Sequence, residues 1–278
     1  MTPPRTIAIL GLGLMGGSLA RDLAAGGLQV QGYDADDRSS RQALAAGVLA
    51  EVLDDDLAGL CAADLVVLAT PVDLAGAMLE RIAPRLKDGC LVTDLGSTKR
   101  TVLAQAAEAG LGGRFVGAHP LAGDHRSGWE AARAGLYRDA TVFLCSDERA
   151  SPATVSSVRT FWESVGGRCT IIDAGAHDTL MAWVSHLPQV ASSAVAAALA
   201  GSGHAPATLG RGGRDVTRLA ASSPEMWSAI CRTNAPAIAD AVGALSRELA
   251  VAETALRAGD DAALRRFFAV GRDWLDAR

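Results

Sequence analysis

The chain has 278 residues, 49% of them hydrophobic, and a formal net charge of −5; this length exceeds the usual domain of ~100–200 residues, so two domains with sizeable cores are expected. The acidic balance excludes a general nucleic-acid surface, which needs Lys and Arg clustered across a face, but leaves room for a local arginine cluster serving a small acidic substrate. The five cysteines (61, 90, 145, 169, 231) form no C-x-x-C pair and no zinc-like spacing with histidine, so they read as reduced, mostly buried residues of a cytoplasmic protein without a metal.

No basic, cleavable leader is expected at the N-terminus, and no stretch of ~20 uninterrupted apolar residues suggests a membrane span. The run Thr6–Leu10 reads as a strand feeding Gly11-Leu-Gly13-Leu14-Met15-Gly16, and helix formers follow from Ser18 to Ala25. A helix start of this kind binds anions, because its first N–H groups lack intrahelical acceptors and its dipole is positive there. Gly11 permits the turn, Gly13 lets a pyrophosphate approach the backbone, and Gly16 allows the helix to pack closely on the strand. A second apolar run, Leu28–Tyr33, ends at Asp34, close to the ~20-residue offset of a ribose-binding carboxylate. Asp34 should accept hydrogen bonds from the ribose 2′-OH and repel a 2′-phosphate, which favours NAD; Arg38 and Arg41 nearby keep NADP open.

The spacing next predicts a helix over 39–46 and a strand over 63–70 that ends at Pro71, which places Thr70 and Pro71 at the carboxyl edge of the sheet beside the cofactor. A helix over 74–86 and a strand over 90–94 follow. The strand opens into Leu95–Lys99, then a helix over 100–109 and a strand over 114–119 leading into Pro120–Gly123. A strand over 141–145, a helix over 152–165 and a strand over 169–173 complete the alternation. Such alternation implies an α/β fold with a doubly wound, mostly parallel sheet and ligands at the strand carboxyl ends. Beyond residue 174 the strand pattern stops and Ala/Leu-rich helical segments run on, broken near 201–206, 210–213 and 259. The division expected is therefore a dinucleotide-binding domain over 1–173 and an all-helical domain over 174–278.

Four stretches can carry chemistry. His119 sits at a strand end, fixed by Pro120 and flanked by glycines, and the following Asp124–Trp129 is too polar for a core. Ser97, in Asp94–Lys99, can cap the next helix and still offer its hydroxyl to a ligand. His186 lies in Ser-His-Leu-Pro at 185–188, where Pro188 breaks the backbone ladder within an apolar segment, 180–199, that reads as a buried helix. Arg218, in the glycine- and arginine-rich stretch 210–227, begins an apolar helical pattern that restricts its exposure, and its guanidinium suits bidentate carboxylate binding.

Five motifs in this order resemble the prephenate/arogenate (cyclohexadienyl) dehydrogenase family of tyrosine biosynthesis. They are Gly-Leu-Gly-Leu-Met-Gly-Gly-Ser-Leu-Ala from Gly11, Asp-x-Gly-Ser-x-Lys from Asp94, Gly-x-His-Pro-Leu-Ala-Gly from Gly117, Ser-His-Leu-Pro from Ser185 and Asp-x-Thr-Arg-x-Ala-x-Ser-x-Pro-x-Met-Trp from Asp215 to Trp227. The resemblance implies a Rossmann-type domain, a helical domain that builds a homodimer, and an NAD(P)-dependent oxidative decarboxylation. By the same resemblance His119 is the catalytic histidine, Ser97 a partner of the substrate hydroxyl and His186 a second active-site histidine. Arg218 is then the carboxylate-binding arginine, with Trp227 and His125 beside the substrate.

Some members carry an acidic residue at the position of His125, so the choice between prephenate and arogenate stays open. Asp124 could pair with an amino group, whereas His125 and Arg126 suit a pyruvyl carboxylate, and prephenate is the reading favoured. Some members also append a regulatory domain or a chorismate mutase; this chain ends at Arg278, and feedback by tyrosine is then expected at the active site. The alternatives are a β-hydroxyacid dehydrogenase or imine reductase, which commonly use a lysine on a long helix, and a non-catalytic NAD-binding sensor. The 180–199 segment contains no lysine. A sensor has no reason to assemble His119, Ser97 and Arg218.

Overall fold

The computed structural model describes residues 4–123 and 126–277. The chain divides into two compact units, residues 1–181 with 221–234, and residues 182–220 with 235–278. In the first, β1 (Thr6–Leu10), α1 (Leu14–Ala25), β2 (Gln29–Tyr33), α2 (Asp37–Ala45) and a two-residue β3 (Glu51–Val52) are followed by β4 (Leu65–Leu68) and α3 (Ala75–Ile82). Then come β5 (Leu91–Asp94), α4 (Arg100–Glu108), β6 (Phe115–Pro120), β7 (Thr141–Cys145), α5 (Pro152–Ser164), β8 (Arg168–Ile171) and α6 (Ala174–Met181).

The strands form one sheet in the order β3-β2-β1-β4-β5-β6-β7-β8. Every pairing is parallel except β6 with β7. Alternating strand residues feed two cores. Ile7, Ile9 and Val67 pack with Leu19 and Leu23 of α1 and Phe161 and Trp162 of α5. Ala8, Leu10 and Val66 pack on the opposite face with Leu79 of α3 and Leu103 of α4. A sheet buried on both faces in this way explains why its strands read as continuous apolar runs. The short β3 was not expected; two residues carry no alternation to read. Local chemistry sets the helix starts. Ser151 caps α5 by accepting from the Thr154 N–H at 3.1 Å, with Pro152 in the first turn.

The second unit holds a π-helical turn (Ala182–His186), α7 (Leu187–Gly201) and α8 (Arg211–Thr217). After α9 (Pro224–Thr233), which belongs to the first unit, it continues with α10 (Ala235–Ala258) and α11 (Asp261–Asp276). Pro188 has no N–H to return to Val184, and the π turn falls immediately before it. The 180–199 segment is not a buried helix. Trp183, Val184 and Val195 are exposed, and in α7 Gln189 and Ser192 are the buried residues. Apolarity in a sequence reports a cost of water contact, not which surface relieves it. The 210–213 break is likewise replaced by the start of α8, capped by the Gly210 backbone.

Among the cysteines only Cys90 and Cys145 are buried, so "mostly buried" does not hold, and all five are free thiols. Burial pushes the Cys90 thiol up to about 11 and that of Cys145 up to about 12, which removes both as nucleophiles near neutrality. Among the described residues no cluster could hold a metal ion, and no helix is long and apolar enough to cross a membrane.

Candidate active site

Strand order reverses between β1 and β4, and ligands of doubly wound sheets bind at the carboxyl ends of strands flanking such a point. There Gly11 adopts φ 105°, and a Cβ on it would lie 2.5 Å from the Ala69 carbonyl oxygen. A Cβ on Gly16 would lie 1.9 Å from the Gly11 carbonyl oxygen, so α1 starts in direct contact with the strand end. Gly13 differs: the nearest atom to an added Cβ is 4.0 Å away, so the backbone there is open to a ligand. The first N–H groups of α1, on Leu14, Met15 and Gly16, face this space without a side-chain cap.

Asp34 lies across the cradle, half-buried, accepting from the Leu12 N–H at 2.6 Å and the Asp36 N–H at 2.8 Å. Arg38 is bonded to Asp36 at 3.0 Å and Arg41 lies 4.0 Å from Asp37, so both guanidinium groups have acidic neighbours of their own. The Thr70 hydroxyl is buried without a partner among the described residues, next to exposed Pro71. An uncapped helix start, an open glycine, a carboxylate just past the end of β2 and a hydroxyl with no partner among the described residues fit a dinucleotide. Further along, Tyr137 donates its hydroxyl to the Met15 carbonyl at 2.7 Å, tying the segment after His119 to α1.

His119 is buried on β6, opposite Phe143 of β7. Its Nδ1 lies 2.9 Å from Nε2 of His177, whose Nδ1 lies 2.8 Å from Oδ1 of Asp178. The two imidazoles meet edge to face at 5.1 Å, and Phe143 packs edgewise on His177 at 5.5 Å. Asp178 also accepts the backbone N–H groups of Lys99 at 2.8 Å and Arg100 at 2.9 Å. Burial pushes the Asp178 carboxyl up, but the hydrogen bonds from His177, Arg100 and Lys99 outweigh it and hold it below the usual carboxylate range. It is therefore charged at neutral pH.

Asp178 is thus the cap of α4, a role assigned above to Ser97. Ser97 instead sits half-buried in the turn between β5 and α4, with no side-chain bond to the helix. Asp94 accepts the Ala118 N–H at 2.9 Å and the Gly96 N–H at 2.9 Å, and it pairs with fully buried Lys99. Lys99 Nζ donates to the Ala118 carbonyl at 2.8 Å. β5 pairs with β6 only at Phe115 and Val116, so beyond the end of β5 this ion pair satisfies both backbone groups of the residue before His119.

His177, Asp178 and Lys99 were not singled out from the sequence. The readable trace was a His-Asp pair in the first helical turn after a strand, on the face that also carries buried Met181. Trp227 is half-buried on α9. Arg218 is exposed in the turn after α8, contrary to the restricted exposure expected of it, because the helical pattern there is broken by a short 3-10 turn over 218–221. Arg218 and buried His186 belong to the second unit, and His125 lies outside the described residues.

The model of the prephenate dehydrogenase nucleotide-binding domain matches residues 19–171, and that of the prephenate dehydrogenase dimerization domain matches residues 173–270. The chain belongs to the prephenate dehydrogenase family. This family member is 33% identical to a cyclohexadienyl dehydrogenase of Zymomonas mobilis over 94% of its own length and 91% of the relative's. It is 32% identical to a prephenate dehydrogenase of Bacillus subtilis over 98% of its own length and 75% of the relative's. A crystal structure of prephenate dehydrogenase from Aquifex aeolicus, in complex with hydroxyphenyl propionate and NAD+, superposes with a TM-score of 0.89 at 28% identity. That likeness covers 99% of this chain and 98% of the other. As a prephenate dehydrogenase family member the chain is an NAD-dependent oxidoreductase with a Rossmann-type domain followed by a helical one.

Proposed function

We propose that the enzyme converts prephenate, NAD+ and no other reactant into 4-hydroxyphenylpyruvate, CO2 and NADH, a step toward tyrosine, with His119 as the proton acceptor. The observation that carries this reading is His119 at a strand end, with Nδ1 engaged by His177, so that proton acceptance falls to Nε2. Bound NAD+ supplies a hydride acceptor at its nicotinamide. His119 takes the hydroxyl proton as hydride leaves the same carbon of the substrate. The bond to the ring carboxylate then breaks, its electron pair enters the ring, CO2 departs, and the ring oxygen recovers the proton from His119. Charge and hydrogen balance without release of a proton: a dianion and NAD+ give a monoanion, CO2 and NADH.

Ser97 is assigned to orient the hydroxyl, Arg218 to hold a carboxylate, and His186 and Trp227 to complete the substrate site. Leu14 and Met15 N–H groups are assigned to the pyrophosphate, Asp34 to the ribose, and Thr70 with Pro71 to the nicotinamide side. Paired Arg38 and Arg41 support NAD over NADP. The test is NADH or NADPH formation with prephenate and arogenate, each with both cofactors, on the wild type and Arg218→Ala. The expected result is preference for prephenate and NAD+, with Arg218→Ala raising the KM for prephenate about tenfold or more, the equivalent of one charge-assisted bond of ~1.5–3 kcal/mol. Higher kcat/KM with arogenate would overturn the substrate assignment, and an unchanged KM would remove Arg218 from it.

The assembly proposed is a homodimer through the helical unit. Phe268, Val270 and Trp274 of α11 and Leu249, Val251 and Leu256 of α10 are exposed in the single chain, more large apolar surface than a monomer ordinarily leaves in water. Sedimentation equilibrium should give twice the chain mass; a monomer at micromolar concentration would count against it. Five free thiols suit a cytoplasmic, reducing compartment.

A further inference from the structure

We infer that His177 and Asp178 are positioning residues that fix His119 in the Nδ1–H tautomer and couple a buried negative charge to it. The inference rests on the reading of His119 as proton acceptor. It follows from counting donors along the chain of contacts. Oδ1 of Asp178 is an acceptor and stands 2.8 Å from Nδ1 of His177, so that nitrogen carries the proton. A neutral imidazole holds one proton, so Nε2 of His177 is an acceptor. It stands 2.9 Å from Nδ1 of His119, which must therefore donate. By this count the unprotonated nitrogen of His119 is Nε2. With His177 neutral, the order runs from carboxylate to base, and it starts from a carboxylate oriented by the Lys99 and Arg100 N–H groups of α4.

The same chain acts on the protonated state. When His119 takes a proton on Nε2 it becomes an imidazolium, and its Nδ1–H strengthens its bond to His177, which is in turn bonded to a carboxylate. The positive charge is stabilised by Asp178 through one intervening ring. His119 is thereby a stronger base than an isolated buried imidazole, whose protonation burial opposes. Because the substrate oxygen recovers the proton in the same turnover, the relay has none to export, which suits a closed chain ending on a carboxylate.

Among the described residues, other titratable and charged groups also pack around the pair. From β5 and its turn, Asp94 and Lys99 cancel each other as an ion pair. From β7, the Cys145 thiol is neutral, burial having pushed it up to about 12, and Phe143 is apolar. At the start of α6 the Asp173 carboxylate accepts the Ala176 N–H at 2.9 Å, and a Cβ on Gly175 would lie 2.9 Å from an Arg100 guanidinium nitrogen. From the end of α9, Asn234 donates its amide to the Asp178 carbonyl at 2.7 Å, a neutral contact that holds the helix turn carrying both residues.

The test uses the full chain with prephenate and NAD+. Wild-type protein labelled with ¹⁵N-histidine is expected to show both His119 and His177 as Nδ1–H tautomers at neutral pH; an Nε2–H tautomer at His177 would overturn the inference, and this measurement needs no variant to fold. Kinetics then separate the two roles in His177→Phe and His177→Gln. Phenylalanine keeps the ring packing on Phe143 and removes the acceptor, so kcat should fall about 10- to 100-fold, as when the partner that orients a working histidine is lost. Glutamine restores an acceptor for the His119 Nδ1–H and should recover most of the plateau kcat, but it cuts the link to the Asp178 charge. Its acid limb should therefore move to lower pH by about one unit, since removing a neighbouring negative charge makes the base harder to protonate. KM for NAD+ should hold throughout.

Equal losses in both variants with an unmoved acid limb would mean packing alone and would overturn the inference. So would a folded His177→Phe with wild-type kcat. A His119→Asn control distinguishes the failures: turnover retained there removes His119 as the base, whereas loss there with wild-type behaviour at position 177 removes only the relay.

Discussion

Replacing His119 by asparagine is expected to lower kcat about 10²- to 10⁴-fold, the usual contribution of a positioned general base, while NAD+ affinity stays nearly unchanged. The asparagine amide cannot take a proton at neutral pH. It keeps a polar group beside His177, so the neighbouring Asp178 network and its bonds to α4 remain. The glycine cradle at β1 is built from Gly11, Gly13 and Gly16 and does not depend on the imidazole. Stopped-flow or steady-state NADH formation gives kcat, and quenching of tryptophan fluorescence on titration with NAD+ gives affinity. Turnover within about tenfold of wild type would remove His119 from proton transfer, since a base that matters contributes more than that.

The second large effect is on stability. Lys99→Met should destabilise the protein by about 3–5 kcal/mol, because it leaves the Asp94 carboxylate buried without its cation, and a broken buried pair costs more than the intact pair contributes. Lys99 is fully buried and also donates to the Ala118 carbonyl, so the same change orphans a backbone acceptor. The measurement is a urea melt of the cofactor-free protein, read as a fall in midpoint at constant slope. Adding Asp94→Asn should recover part of the loss, because the amide oxygen can still accept the Ala118 N–H and no charge is stranded. A loss below about 1 kcal/mol for Lys99→Met would place the pair among exposed ion pairs in energetic terms, and the account of the strand end would fail.

How far residues announced this site depends on the range over which each feature is decided. The cradle was readable because its constraints fall on single residues: Gly11 at φ 105° and Gly16 at 1.9 Å from a carbonyl tolerate nothing larger, so geometry is written directly into composition. The strands were readable because a sheet buried on both faces needs unbroken apolar runs. The partners of His119 were not, because Asp178 meets the start of α4 across 79 residues and His177 meets His119 across 58. No local pattern encodes such a meeting, and a capping residue was sought within the turn, at Ser97, when it came from another helix. The exposure of the 180–199 segment was hidden for a similar reason: apolar side chains state that water is costly without naming the surface that excludes it.

Strand β6 takes part in two ladders, pairing with β5 at Phe115 and Val116 and with β7 from Gly117 to Pro120. The nucleotide cradle hangs from the parallel ladder, and the histidine pair hangs from the antiparallel one. Changes in β7 and α6 therefore reach the histidine pair first, and changes at β1 and the start of α1 reach the glycine cradle first.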